Sequence, residues 1–195
     1  MNIGIDIDDT ICNTYEVFLP YFKKFMEEEL KREYQFDLED RTDYYKLQKR
    51  FGLTDDEDFA FWEKYFPTIV KEVVPKDNSV EVIKKLKEDG NNIFLITARY
   101  AVEGFDIRGI TEKWLNEKGI VYDKLIINSH NKLEIANEEN IDIFIDDSVR
   151  NCSMLIEGNI KTCMYTTEYN NFYENENMTR VYSWDEFYRI VKEEK

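Results

Sequence analysis

The sequence predicts an α/β protein: a parallel sheet flanked by helices, with a helical insertion after the first strand. Three observations carry that prediction. Short apolar, β-branched runs recur at residues 2–7, 92–97, 124–127, 141–146 and 160–165, the length and composition of strands covered on both faces. The segments between them carry helix punctuation from residue 79 to 165, and strand–helix–strand alternation implies right-handed crossovers in a doubly wound sheet. Several of the strands also end on carboxylates or small hydroxyls, at the edge where open parallel sheets bind ligands.

The first run stops at the acidic cluster Asp6, Asp8 and Asp9. Residues 13–75 then break the alternation. They hold Phe18, Phe22, Phe25, Leu30, Tyr44, Tyr45, Leu47, Phe59, Trp62, Tyr65, Phe66 and Ile69 at spacings that favour helix, so three or four inserted helices are expected. Glu27, Glu28 and Glu29 read as a solvated helix face. Beyond the insertion, Asn78 stands three residues before Glu81, the spacing of a capping box, and Val80, Ile83 and Leu86 share one face behind it. Gly90, Gly119 and Gly158 stand where helix-terminating glycines belong. Ser183 and Glu186 repeat the capping-box spacing ahead of a last helix with Phe187, Ile190 and Val191 inward.

Composition narrows the function. The 195 residues carry 41 acidic and 26 basic side chains, a formal charge of −15. Nucleic-acid polymers and anionic membranes call for clustered Lys and Arg, so neither is an expected partner. A small phosphorylated substrate remains compatible if a metal ion supplies local positive charge. The three cysteines, Cys12, Cys152 and Cys163, form no CxxC pair and read as reduced thiols packed as small hydrophobes. With no basic, apolar leader in the sequence and no apolar run of about 20 residues, a cytoplasmic location is expected. Nothing in the sequence indicates an oligomeric state.

The strand ends supply a short list of polar residues. The first delivers Asp6, Asp8 and Asp9; the second Thr97, then Arg99; the third Asn128, Ser129 and His130, with Lys132 following; the fourth Asp146 and Asp147. That many carboxylates in one crevice repel one another and call for a counter-charge. Mg²⁺ fits, as a hard cation that takes one or two carboxylates together with waters and phosphate. Asp6 and Asp146 are the first choices for side-chain ligands, with Asp8 offering its backbone carbonyl. Lys132 is preferred over Lys124 as the cationic partner. Lys124 begins its strand, at the wrong end, whereas Lys132 opens a helix that Asn131 can cap with Glu134 three residues on. His130, the only histidine, reads as an exposed loop residue.

These residues carry a resemblance. Asp6-Ile7-Asp8-Asp9-Thr10 looks like the DxDx[TV] signature of the haloacid-dehalogenase-like (HAD) phosphatases, Thr97 in the LITAR segment matches their second motif, and Asp146-Asp147 matches the acidic fourth. Together with Thr111, Trp114 and Leu115, these motifs most resemble the cytosolic-type 5′(3′)-deoxyribonucleotidase family and its bacterial nucleotidases. The resemblance implies a three-layer Rossmann-like HAD core formed by residues 1–12 and 76–195, with residues 13–75 as a helical C1-type cap. It implies that Asp6 is the nucleophile and forms an aspartyl-phosphate, that Asp8 is the general acid and base, and that Thr97 and Lys132 complete the catalytic set. Thr97, Ala98, Arg99 and Lys132 would bind the substrate phosphate. Asp6, Asp8, Asp146 and Asp147 would hold Mg²⁺. The expected activity is Mg²⁺-dependent hydrolysis of a nucleoside monophosphate, a deoxypyrimidine one by family likeness.

Some points stay open at this level. Asp147 could instead cap the following helix, Arg99 could pair with an acidic neighbour, and Tyr15 or Phe18 could stack on a nucleobase. Asp9 stands where relatives commonly have Gly, a place where Asp tolerates left-handed geometry. The same chemistry would serve a sugar phosphate or another small metabolite. A non-catalytic, phosphoacceptor-like HAD protein would also bring carboxylates, a hydroxyl and a Lys to parallel strand ends, although receiver domains lack both the insertion and a DxD at the first strand.

Overall fold

The computed structural model describes residues 1–34, 51–100 and 105–194. Six parallel strands form one sheet in the order β3-β2-β1-β4-β5-β6. They are β1 (Asn2–Ile5), β2 (Asn92–Ile96), β3 (Lys124–Ile126), β4 (Ile143–Asp146), β5 (Lys161–Tyr165) and β6 (Thr179–Val181). The apolar runs thus form strands, each trimmed by a residue or two. β1 is central: Ile3 pairs in register with Ile93 on one side and Ile143 on the other. The chain winds outward from β1 through β2 to β3, then crosses back to place β4 on the far side of β1. That reversal opens a crevice at the carboxyl ends of β1, β2 and β4.

Both faces of the sheet are covered, which explains why its strands read as continuous apolar runs. On one face Ile3, Ile5, Leu95 and Ile145 pack with α3 (Ser79–Glu88), α4 (Ile107–Glu117) and α7 (Trp184–Glu193), through Leu86, Trp114 and Phe187. On the other, Ile96 and Phe144 pack with α5 (Lys132–Glu138) and α6 (Val149–Glu157), through Ala136 and Leu155. Gly4 is required here, since a Cβ at that position would lie 2.5 Å from the Phe144 ring. Between β1 and α3 stand α1 (Thr14–Lys24), which runs into a wide π-helical turn over Phe25–Glu29, and α2 (Asp55–Glu72). Phe18 and Phe22 of α1 stack at 5.3 Å, and Phe61 of α2 meets both edge-to-face, with ring centroids 5.3–5.4 Å apart. Tyr44, Tyr45 and Leu47, assigned to the inserted helices by spacing, lie outside the described residues.

Several local expectations hold and others do not. Asn131 accepts from Glu134 N at 3.2 Å, and Gly90 and Gly119 adopt the left-handed geometry of helix terminators. Glu27, Glu28 and Glu29 are exposed. Cys12, Cys152 and Cys163 are free and buried, and burial pushes the Cys163 thiol up to about 12. Asn78 makes no capping box. It sits at φ 60, and its side-chain amide donates to Asp185 at 2.8 Å instead, so a tertiary contact has displaced the local one. Gly158 is not the left-handed residue after α6; Asn159 is, at φ 61. Gly158 instead leaves room for the Leu133 side chain, whose methyl would lie 2.1 Å from a Cβ there. Ser183 caps α7 through Glu186 N, but the Glu186 carboxylate accepts from Tyr182 N rather than closing the box. Among the described residues, no helix is long and apolar enough to cross a membrane.

Candidate active site

Turn geometry after β1 sets the first three carboxylates. Ile11 N and Cys12 N both return to Ile7 O, at 2.9 and 3.2 Å, and fold the chain back on itself. Asp9 occupies the left-handed position of this turn, at φ 58. Its carboxylate accepts from Tyr15 N at 2.8 Å, which ties the turn to the start of α1. Asp9 is therefore accommodated by the turn geometry and used as a backbone anchor. Asp6 N donates to Ile145 O at 3.0 Å, which continues the β1–β4 ladder into the site.

Asp6, Lys132 and Asp146 meet in a buried cluster. Lys132 Nζ donates to Asp6 Oδ1 at 2.5 Å and to Asp146 Oδ2 at 2.6 Å. All three side chains are nearly inaccessible to water, with Lys132 only 1% exposed. Lys124 lies apart and pairs with Glu139 at 2.5 Å. Burial raises Asp6 to about 7 against the pull of Lys132, and the charges of Asp146 and Asp8 push in the same direction as burial. Lys132 is held above its ordinary value: burial works against its charge, but Asp146 and Asp6 outweigh it. Asp146 also accepts from Ser148 N at 2.8 Å and from the Asn151 amide at 3.1 Å, an interaction with the start of α6 that spacing alone did not single out.

Asp147 does not cap α6; Ser148 does. The Asp147 carboxylate accepts from Thr10 Oγ1 at 2.9 Å and from the Tyr169 hydroxyl, and Asn170 binds its backbone carbonyl at 2.7 Å. Burial, followed by the charges of Asp146, Asp6 and Asp9, raises it well above the ordinary carboxylate range. Carboxylate oxygens of Asp6, Asp146 and Asp147 lie within 4.8 Å of one another. Three buried carboxylates against one ammonium leave an excess of negative charge in an all-oxygen donor set. That chemistry fits a hard divalent cation.

Asp8 faces elsewhere. Arg99 grips it with two hydrogen bonds, Nε to Oδ2 and Nη2 to Oδ1, both at 2.8 Å, and Thr14 Oγ1 adds a third at 2.6 Å. Burial alone would raise Asp8, but the guanidinium beside it reverses the sign and holds it below the ordinary value. Arg99 is itself only 3% exposed and is steadied by Thr111 at 3.2 Å and by the Trp114 ring at 5.9 Å. Of the two roles left open for Arg99, the structure shows the pairing with an acidic neighbour. It also explains the Thr111 and Trp114 positions of the motif, as supports for that arginine. Thr97 Oγ1 lies 3.4 Å from Asp8 Oδ2 and accepts from Arg99 N at 3.3 Å.

The cluster opens into a cavity of about 770 Å³. Its floor includes Asp6, Asp8, Thr97, Ala98, Lys132 and Asp146. Its apolar side is formed by Trp62 and Phe66 of α2 and by Tyr100 after β2, with the Phe66 and Tyr100 rings stacked at 6.1 Å. Tyr15 and Phe18, suggested by sequence as nucleobase platforms, are buried instead. Phe18 packs on Trp62 at 5.5 Å and Tyr15 on Tyr169 at 5.6 Å. Trp62 and Phe66 come from α2, and only the tertiary packing distinguishes them from the core. His130 is exposed and bonds Asn128 at 3.1 Å at the rim.

Parallel strands ending in paired carboxylates and a hydroxyl, with a buried lysine opening the helix after β3, give the arrangement seen in the fold of HAD-type hydrolases. Solved structures of that class superpose over nearly the whole chain. A haloacid dehalogenase-like hydrolase from Streptococcus pneumoniae matches with a TM-score of 0.72 at 13% identity, covering 97% of each chain. The magnesium-bound HAD-type structure of YfnB from Bacillus subtilis matches with a TM-score of 0.63 at 14% identity, again covering 97% of each. Within the class, residues 1–195 match the family model described as 5′ nucleotidase, deoxy (pyrimidine), cytosolic type C protein. A nucleotidase of Clostridium acetobutylicum is 35% identical over 195 residues, spanning 98% of this chain and 93% of that protein. The chain belongs to the cytosolic-type 5′-nucleotidase family of HAD hydrolases, and is a phosphatase by class.

Proposed function

We propose that the protein is a Mg²⁺-dependent phosphohydrolase that releases phosphate from nucleoside monophosphates through an aspartyl-phosphate at Asp6. The observation that carries this reading is the placement of Asp6 against Lys132 at 2.5 Å, in a cavity that Trp62, Phe66 and Tyr100 also line. A phosphate binds at the polar end, and the nucleoside extends towards Trp62, Phe66 and Tyr100. Residues 13–75 would then act as a cap that shields the reaction from bulk water.

Asp6 attacks phosphorus, forming the acyl-phosphate bond as the ester bond to the nucleoside oxygen breaks. Lys132 and Thr97 place positive charge and a hydroxyl against the transferring oxygens. The leaving oxygen takes its proton from Asp8, which requires substrate to loosen the Arg99 pair and leave Asp8 protonated. In the second step a water attacks phosphorus, its proton passes to Asp8, and the Asp6 carboxylate is regenerated. The Arg99 pair favours the ionised form of Asp8 that this second step needs. Asp6, Asp146 and Asp147 would hold Mg²⁺ through their side chains, with Asp8 offering its backbone carbonyl. The ion supplies positive charge that lets an anionic nucleophile approach an anionic phosphate.

Phosphate release across a panel of nucleoside monophosphates, sugar phosphates and a generic aryl phosphate tests the reading. With Mg²⁺, at least one nucleoside monophosphate is expected to exceed the aryl phosphate in kcat/KM, and chelation of the metal is expected to reduce release to background. A sugar phosphate outpacing every nucleotide would transfer the chemistry to a different substrate. Turnover that survives chelation would remove the metal from the mechanism.

A further inference from the structure

Among the described helices, three carry a cation in the first turn: Arg108 in α4, Lys132 in α5 and Arg150 in α6. A positive side chain at that end opposes the helix dipole, and a nearby anion is its ordinary compensation. Arg108 has Glu112 at 3.2 Å, and Lys132 has Asp6 and Asp146. Arg150 makes no ion pair or hydrogen bond among the described residues, and the first turn of α6 holds no acidic residue. It is exposed, and it lines the catalytic cavity together with Asp6, Thr97 and Asp146. Asn151, the next residue, donates to Asp146 at 3.1 Å and so seats this turn of α6 against the carboxylate cluster. The other cations lining the cavity are committed, Lys132 to Asp6 and Asp146 and Arg99 to Asp8.

We infer that Arg150 is a substrate-binding residue whose missing counter-anion is the phosphate of the substrate. It captures the phosphate dianion as it enters and holds inorganic phosphate before release. A guanidinium donates two parallel hydrogen bonds to phosphate oxygens, a geometry that suits an anion and excludes a metal ion as its partner. The chain carries a formal charge of −15, which repels a dianion, so a cation without a carboxylate partner at the cavity is the group that reverses this locally. The inference rests on phosphate transfer at Asp6 and adds a binding residue to it. Arg150 takes no part in bond making, so its loss weakens binding and spares the chemical step.

The test measures the affinity of the full chain for inorganic phosphate by calorimetry with Mg²⁺, and kcat and KM for a generic aryl phosphate, at low and high salt. Wild type is compared with Arg150→Gln, Arg150→Lys and Lys85→Gln. The last changes net charge as Arg150→Gln does, at an exposed site on α3, which packs on the other face of the sheet from α6. Thermal unfolding checks folding, which is expected to survive because Arg150 is exposed and both replacements are good helix formers. At low salt Arg150→Gln is expected to weaken phosphate binding and raise KM by about tenfold, the scale of one hydrogen-bonded contact to a charged group, with little change in kcat. Arg150→Lys is expected to recover most of that loss and Lys85→Gln to show none, and the gap between wild type and Arg150→Gln is expected to narrow as salt rises. A wild type that binds phosphate no tighter than Arg150→Gln overturns the inference. An equal loss in Lys85→Gln overturns it by assigning the effect to net charge, and a fall in kcat at unchanged KM overturns it by moving Arg150 into the chemical step. If no phosphate ester is hydrolysed, the phosphatase reading fails, and the calorimetry still decides whether Arg150 holds phosphate.

Discussion

Asp6→Asn is expected to lower Mg²⁺-dependent phosphate release by about 10⁴-fold or more, the scale seen when a covalent nucleophile is removed. The amide is nearly isosteric with the carboxylate but cannot form the acyl-phosphate. Folding is expected to survive, because burial already raises Asp6 to about 7 and works against its charge. Neutralising it also removes one of the carboxylates that repel Asp146 and Asp147. Steady-state phosphate release and chemical denaturation, measured on the same preparation, check both halves. Wild-type turnover in a folded variant would remove Asp6 from the covalent role.

Lys132→Met carries the second large effect, and it affects stability as well as rate. Among the described residues the ammonium is the only cationic partner of Asp6 and Asp146, at 2.5 and 2.6 Å. Methionine matches the stem in length but leaves buried carboxylates uncompensated. Breaking a buried ion pair by removing one partner costs about 3–5 kcal/mol. The loss should appear as a lower urea midpoint with an unchanged slope when metal is chelated. Turnover is expected to fall by about 10²–10³-fold, as when one electrostatic contact to the transferring group is lost. A variant as stable as wild type would show that the cluster does not depend on the lysine.

Much of this site could be read from the sequence because parallel sheets gather their functional groups at strand ends. Asp6, Thr97, Lys132 and Asp146 follow short apolar runs, and the sheet order brings those runs side by side. Lys132 could be preferred over Lys124 from its position after the strand, and Asn131 caps its helix as the spacing implied. Where the reading failed, tertiary contacts had overridden local pattern. Asn78 has the spacing of a cap, yet a partner 107 positions away claims its side chain. β6, missed altogether, is three residues long with Arg180 at its centre, too short and too polar to register as an apolar run. The wide turn at Phe25–Glu29 has no compositional mark, since its Phe-Met-Glu-Glu-Glu sequence suits an ordinary helix equally well.

The aromatic residues show a related limit. Tyr15, Phe18, Trp62 and Phe66 share a helical spacing that marks them all as inward-facing. Which of them meet the cavity depends on how α1 and α2 pack, and that packing buries Phe18 while leaving Trp62 at the wall. Arg99 illustrates the same point for charge. The sequence leaves it between the substrate and an acidic neighbour, and only the folded chain shows its guanidinium paired with Asp8 and Thr111.

The covalent role of Asp6 is tested most directly with beryllium fluoride, which forms an acyl-phosphate mimic on a nucleophilic carboxylate. Fluorine NMR of the full chain with beryllium, fluoride and Mg²⁺ is expected to show protein-bound resonances for wild type and none for Asp6→Asn. Bound resonances that persist in Asp6→Asn, or an active wild-type enzyme that shows none, would contradict nucleophilic attack by Asp6.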